Sequence, residues 1–158
     1  MEKLNLLTVA EWSAVGWTGF FAGGGFFINA VDIPAISAVE DTKAVRQHWK
    51  GIYLGGKRFQ GTFAILGTAS GLCAWYLSKS EYRWLYLLGS GLIFSVMPFT
   101  ALVMHSNIKQ LMEDDVVERK GTSWVREKIS LWNRHHMFRT LASTIAFDSF
   151  ILGVFLTR

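Results

Sequence analysis

Four long blocks of apolar residues constrain this fold more than any other feature of the chain. They cover about residues 4–31, 59–77, 84–104 and 132–156, and most charged residues lie between them. About 20 helical residues are enough to cross a hydrocarbon core of about 30 Å. The pattern therefore predicts an all-α, membrane-embedded four-helix bundle and a multi-pass integral membrane protein.

The segments between the spans are expected to be partly helical. Loop one, residues 35–58, is typical of one or two amphipathic interfacial helices, with Trp49 and Tyr53 suited to the membrane interface. Loop three is also expected to hold amphipathic helices, with a break near Gly121. The spans take up more than half of the 158 residues, so we expect a single transmembrane domain over residues 1–158.

Glycines are spaced so that helices can approach closely in lipid. Gly67 and Gly71 lie four residues apart in the second span. The first span has five more glycines that predict a groove for a neighbouring helix: Gly16, Gly19, Gly23, Gly24 and Gly25.

The distribution of basic residues predicts an orientation. Loops one and three carry ten Lys and Arg residues, Arg134 follows at the entry to the last span, and the opposite side has only Lys3, Lys79, Arg83 and Arg158. The positive-inside rule places loops one and three in the cytoplasm and both termini in the lumen or outside the cell. In a eukaryotic cell we expect the endoplasmic reticulum membrane. The same rule accounts for the net charge of +4, so we expect no nucleic-acid partner.

Polar, titratable and aromatic residues gather at the end of the bundle that carries loops one and three. All four histidines lie there: His48, His105, His135 and His136. The same end holds Asn29, Asp32, Trp49, Tyr53, Asn107, Trp132 and Arg139. An apolar pocket with a few polar groups is the usual form of a small-molecule site. The alternative is that such side chains simply mark the entry of helices into the headgroups.

The spacing in the last span favours one histidine over its neighbour. Trp132, His136 and Arg139 lie at i, i+4 and i+7, which is one helix face, and His135 points about 100° away. The histidines have no HxxxH or HxxE spacing, so we predict no metal ligands, although a haem or metal ion remains an alternative. The single cysteine, Cys73, excludes chemistry that needs a cysteine pair.

Two acids lie inside apolar spans, where an unpaired charge costs several kcal/mol. Glu11 lies in the first span and Asp148 near the middle of the fourth. Each is expected to be paired or protonated, with hydrogen bonds between helices favoured over a proton path.

The order of these residues resembles the family of small four-span membrane proteins that includes the fungal anthrone oxygenases. The carriers are Gly24, Gly25, Asn29 and Pro34 in the first span; Trp49 and Tyr53; Pro98, Phe99 and Thr100 through Asn107 and Leu111; and Trp132, His136 and Arg139. The resemblance covers nearly the whole chain.

This resemblance implies oxidation of an anthrone to an anthraquinone by O2 without an evident organic cofactor. We assign His136 as the base, with Arg139 and Asn107 as oxyanion donors. The expected substrate wall is Trp132 with Trp49 or Tyr53, and His105 and Asn29 complete the predicted site. The expected partners are the lipid bilayer, a hydrophobic small-molecule substrate and O2, and a homo-oligomer is left open. Two alternatives remain: a non-catalytic membrane protein that binds a lipid or a partner helix, and a haem- or metal-dependent membrane enzyme.

Overall fold

The computed structural model describes residues 5–157 and is built from helices. Five helices follow one another: α1 (Leu6–Ser37), α2 (Thr42–Leu77), α3 (Glu81–Met112), α4 (Val116–Lys120) and α5 (Thr122–Leu156). No strand occurs in this part of the chain. The all-α bundle expected from the apolar blocks is confirmed.

Local signals in the sequence set where the helices begin. Side-chain oxygens of Asn5 and Asp41 accept hydrogen bonds from the first turns of α1 and α2, at 3.1 and 2.9 Å. Gly121, whose φ is +84°, separates α4 from α5. A side chain with a Cβ is strained at this φ, which explains the chain break predicted there.

The four long helices form a square in cross-section. α1 packs against α2 and α5, and α3 packs against the same two helices. The glycines of this interior leave space for large side chains. The Phe150 ring of α5 fills a slot between Gly71 and Gly89, where an added Cβ at either position would lie 2.6 Å from the ring. Gly67 likewise lies against Thr18, so the predicted packing role of Gly67 and Gly71 is confirmed.

The glycines of α1 divide into two groups. Gly19 lies against Phe147 and Gly25 against Thr140, so both let α5 approach closely. An added Cβ at Gly16, Gly23 or Gly24 would meet no atom within 4 Å. Only part of the predicted α1 groove is therefore used inside the bundle.

Within residues 5–157, three helices, α1, α3 and α5, are long and apolar enough to cross a membrane. The chain is thus an integral membrane protein. α2 is less apolar, so the fourth span over residues 59–77 stays a prediction. The packing of α2 between α1 and α3 supports it.

The long helices extend well beyond a bilayer core. α2 has 36 residues and α5 has 35, which corresponds to about 52–54 Å against a core of about 30 Å. At the end with loops one and three, hereafter the loop end, the extensions form a second core. Its buried members are Ile33, Ile36, Val45, Trp49, Met104, Ile108, Leu111, Val116, Val125, Ile129 and Trp132. We call this unit the loop-end cap.

The cap differs from the interfacial helices expected in loop one. Residues 42–58 continue directly into the second span as part of α2. This stretch contains no proline, and its glycines, Gly51, Gly55 and Gly56, lie within the helix. The apolar face of residues 42–58 packs on α3 and α5. Arg126 of α5 also fixes the end of α1, because its guanidinium donates to the carbonyls of Ser37, Val39 and Glu40 at 2.6–3.2 Å.

The two acids within the spans have different surroundings. Glu11 is only 3% exposed, and its Oε1 accepts a hydrogen bond of 2.6 Å from the Tyr86 hydroxyl. The expected helix-to-helix pairing is found for Glu11. Asp148 is exposed on the outer face of α5, and it makes no hydrogen bond or ion pair with residues 5–157. For Asp148, pairing within the described chain is not found.

Candidate functional site

Two π-helical turns lie near the loop end. One covers Ile28–Asp32 in α1 and the other Thr100–Met104 in α3, two residues after Pro98. A π-helical turn places an extra residue in the helix and is frequent at functional sites. The first turn presents Asn29 towards α5, and the second ends just before His105.

Asn29 is the centre of a polar network that joins α1 to α5. Its Nδ2 donates to Asn133 Oδ1 at 2.6 Å, and its Oδ1 accepts from the Thr140 hydroxyl at 2.7 Å. His136 Nδ1 lies 3.1 Å from the same Oδ1. Because this oxygen is an acceptor, His136 Nδ1 is the donor in this contact and carries a proton. The network thus fixes the orientation of the His136 ring.

A run of aromatic rings leads from His136 through the loop-end cap. Trp132 stacks on His136 at a centroid distance of 4.8 Å and meets Trp49 edge-on at 5.8 Å. Trp49 in turn stacks on Tyr53 at 5.8 Å, with 9° between the ring planes. Both tryptophans are buried in the cap core. The predicted aromatic wall is therefore a contiguous group of rings, and only its Tyr53 end reaches a cavity.

A cavity of about 280 Å³ lies between α2 and α3 near the loop end. This volume is close to the lower end of the range for small-molecule pockets, about 300–1,000 Å³. The lining residues are Phe21, Tyr53, Lys57, Gln60, Gly61, Ala64, Val96, Met97, Thr100, Ala101, His105, Ile108 and Arg139. The cavity thus has an apolar inner part and several polar or cationic groups, and none of these lining residues is an acid.

Arg139 is the main charged group of the cavity. Its Nη2 donates to Gln60 Oε1 at 3.0 Å, and its guanidinium carbon lies 5.5 Å from the centroid of the Phe21 ring. Arg139 Nε and Gln60 Nε2 are buried without a hydrogen-bond partner. No Asp or Glu of residues 5–157 forms an ion pair with Arg139. Arg139 is thus a half-buried cation without a carboxylate partner, and an anionic ligand would supply the missing charge.

The predicted site residues fall into two groups. Tyr53, His105 and Arg139 line the cavity. The others, which are Asn29, Trp49, Asn107, Trp132 and His136, are not among the lining residues. Asn107 lies in the cap, where its Nδ2 donates to the Lys128 carbonyl at 3.0 Å and its Oδ1 is buried without a partner.

Sequence reasoning missed Gln60, Lys57 and Phe21 as cavity residues. One signal for Gln60 was present, because it is a polar residue in the first turn of the apolar block 59–77. It also follows Lys57 by three residues, which places both on one helix face. The contact between Gln60 and Arg139 joins positions 79 residues apart, so no local sequence pattern predicts it.

Metal-ligating side chains do not gather in the part of the chain that the structure describes. No group of three His, Cys, Asp or Glu residues within 5–157 is arranged to hold a metal ion. Of the four histidines, His105 is the one that lines the cavity.

Comparison with known proteins gives a family match. No curated protein and no solved structure matches the chain. A family described as anthrone oxygenase matches residues 49–148, which is well over half of the sequence. The match includes His105, His136 and Arg139, together with the residues that α2 and α3 contribute to the cavity. The chain therefore belongs to the anthrone oxygenase family.

Proposed function

We propose that this protein is a membrane-bound oxygenase that oxidises a hydrophobic aromatic substrate, an anthrone or a polyketide-like compound, with O2 in the α2–α3 cavity. The observation that carries the proposal is Arg139, a half-buried cation that faces an otherwise largely apolar cavity without a carboxylate partner. Fixed donors of this kind stabilise negative charge that develops on a substrate oxygen. Family membership supplies the reaction class.

The chemistry requires a base and stabilisation of an oxyanion. Removal of a proton from the reactive methylene gives an electron-rich enolate, whose charge lies mainly on the ketone oxygen. This anion transfers one electron to O2, and the resulting pair of radicals combines to a peroxide anion on the former methylene carbon. The protonated base returns its proton to give the hydroperoxide. Loss of water then leaves the second carbonyl. The substrate loses two hydrogens and gains one oxygen, and the other oxygen atom of O2 leaves as water.

The cavity suggests roles for its own residues. Arg139, supported by Gln60, binds the oxyanion, and Tyr53 forms the aromatic side of the site. His105 is the first candidate for the base because its side chain lines the cavity. His136 is the second candidate, since the Asn29 contact occupies its Nδ1 and leaves Nε2 as the nitrogen that could accept a proton. Asn107, Trp132 and Trp49 support the site from the cap.

Oxygen uptake by purified protein in lipid nanodiscs tests the proposal. With an anthrone as substrate, the wild type is expected to consume O2 and form an anthraquinone faster than protein-free nanodiscs, which measure spontaneous oxidation. Arg139→Gln should lower kcat/KM by about 10²-fold or more. Arg134→Gln removes an exposed arginine from the same helix and should have no effect. Equal rates of O2 consumption for Arg139→Gln and the wild type would show that Arg139 has no role in the reaction.

The same preparation separates the alternatives. A non-catalytic protein that binds a lipid or a partner helix would give no uptake above the protein-free rate with any anthrone tested. Its best support is the open surface beside Gly16, Gly23 and Gly24. A haem- or metal-dependent enzyme would show an absorption band or bound metal in the purified sample and would lose activity when the group is removed.

We further propose four spans in a single domain, with the loop end in the cytoplasm and both termini in the lumen or outside the cell. The ten basic residues of loops one and three, with Arg134 at the entry to the last span, support this orientation. In a eukaryotic host the expected site is the endoplasmic reticulum membrane. Protease protection of tags on loop three and on the carboxyl terminus tests the topology, and crosslinking in native membranes tests for a homo-oligomer.

A further inference from the structure

The cavity has one open side. Its inner wall includes the buried residues Phe21 of α1, Ala64 of α2 and Val96 of α3. Its outer rim is exposed at Ala101 and His105 and half-buried at Gly61. Because these rim residues belong to α2 and α3, the cavity opens sideways through the seam between these two helices.

The depth of the rim follows from the helix lengths. About 20 residues span the hydrocarbon core, so counting from the end opposite the loops puts its boundary near residue 58 in α2 and near residue 103 in α3. Gly61 and Ala101 then lie just inside the hydrocarbon. Lys57 and His105 lie just outside it, where their polar groups reach the headgroups. The opening therefore faces acyl chains on one side and headgroups on the other.

Two local features keep this opening free. On α3 the rim coincides with the π-helical turn Thr100–Met104, whose extra residue changes the helix surface after Pro98. On α2 the rim residue is Gly61, and a Cβ built at Gly61 would meet no atom within 4 Å. We call the opening between Gly61 and Ala101 the seam doorway.

We propose that the ligand of this cavity enters from the bilayer through the seam doorway, and that it is a membrane-dissolved aromatic amphiphile that carries an ionised oxygen. Its apolar body passes from the acyl chains into the inner cavity, and its anionic oxygen binds the Arg139–Gln60 pair. This inference concerns the same cavity as the proposed function and rests on it for the reaction, but the entry route follows only from the lining residues and their depth.

Two fluorescent probes distinguish entry from the bilayer and entry from water. The first is anthracene-2-carboxylate, and the second is the same carboxylate with a long alkyl chain on the far ring. Energy transfer from tryptophan to anthracene measures binding to the protein in nanodiscs. A lateral opening lets the alkyl chain stay among the lipids, so both probes should bind saturably. The methyl ester of the first probe, which has no charge, should bind at least about tenfold more weakly.

Two glycine variants test the doorway itself. Gly61→Phe should weaken saturable binding of the alkylated probe by about tenfold or more, because the ring fills the opening. Gly91→Phe is the matched control, since a Cβ at Gly91 on α3 also meets no atom within 4 Å and Gly91 does not line the cavity. Circular dichroism and thermal unfolding should show both variants folded as the wild type is.

The outcomes separate this inference from the proposed function. If the short probe binds and the alkylated probe does not, entry from the bilayer is wrong and the proposed oxygenase site stands. If neither probe binds, the cavity is not a ligand site and both proposals fail. If Gly61→Phe and Gly91→Phe weaken binding of the alkylated probe equally, entry through the seam doorway is also wrong.

Discussion

Arg139 of α5 donates from Nη2 to Oε1 of Gln60 on α2 at 3.0 Å, and this contact joins the two helices beside the α2–α3 cavity. An amide neutralises no charge, so the guanidinium remains a full cation in a site without acids. A carboxylate at the same position would have satisfied Arg139 internally. The choice of glutamine at residue 60 is therefore what leaves the positive charge available to a ligand.

Gln60→Glu should convert this contact into an internal ion pair. The side chains have nearly the same shape, so the bundle should remain folded with an unchanged or higher Tm. Binding of anthracene-2-carboxylate and kcat/KM for an anthrone should both fall by about 10–10²-fold, because Arg139 would already be paired. Gln47→Glu adds the same charge at an exposed position of the same helix and should change neither. Full activity of Gln60→Glu would contradict the role of Arg139 as an anion site.

Asn29→Leu should destabilise the protein, because Asn29 holds Asn133, His136 and Thr140 together. Asn29 is half-buried, and loss of its hydrogen bonds leaves partners inside the bundle unsatisfied, which costs about 1–3 kcal/mol in free energy of unfolding. Denaturation in mild detergent measures this change. Thr62→Val is the control, since the Thr62 hydroxyl bonds only to a carbonyl of its own helix. Nitrogen NMR of the wild type should also show a proton on His136 Nδ1, and this signal should shift in Asn29→Leu.

Gly89→Ala should destabilise the bundle through the Phe150 slot. The new Cβ would lie 2.6 Å from the Phe150 ring, and overpacking of this kind costs about 1–3 kcal/mol. Gly91→Ala lies two residues further along α3 in open space and should be neutral or stabilising by up to about 1 kcal/mol, because alanine favours the helix. Equal unfolding midpoints for the two variants would argue against the packing of α5 on α3 described above.

Acid should weaken the loop-end cap through Asp114. Hydrogen bonds from Lys50 and Arg46 hold the pKa of this carboxyl below its ordinary value of 3.8. The ionised contact therefore stabilises the fold fully above about pH 4 and is lost as the pH falls through the lowered folded pKa. Asp114→Asn should show a flatter dependence of Tm on pH below about pH 4, with Glu127→Gln behaving as the wild type. If Tm falls equally steeply with pH in Asp114→Asn and the wild type, groups other than Asp114 cause the acid sensitivity.

Long apolar blocks and turn signals were sufficient to predict most of the helices. The apolar blocks correspond to three helices that are able to span a membrane, and Gly121 marks the break before α5. These signals are local, because both hydrophobic length and a positive φ belong to a short stretch of chain. The path of residues 42–58 was harder to predict, since an amphipathic face fits equally a membrane surface and a protein core. In the structure that face packs in the cap around Trp49.

The site was predicted less completely, because its residues lie far apart along the chain and meet only when the helices pack. Helical spacing correctly placed Trp132 and His136 in contact. It did not reveal that α3 and α2 enclose the cavity, with His105 and Tyr53 on its walls and His136 outside them. That division depends on the order in which the helices pack. Periodicity within a single helix does not contain this information.

His105 and His136 make separable predictions as the catalytic base. If His105 is the base, His105→Ala should lower kcat for anthrone oxidation by about 10²–10⁴-fold with little change in Tm, because its side chain is exposed at the cavity rim. His136→Ala should chiefly lower Tm, since it removes a buried ring from the Asn29 network and from the Trp132 stack. His48→Ala, at an exposed position of α2, is the control. Oxygen uptake at saturating anthrone gives kcat for each variant, with the protein-free rate subtracted. A large loss of kcat in His136→Ala at unchanged Tm, together with full activity in His105→Ala, would transfer the role of base to His136 Nε2.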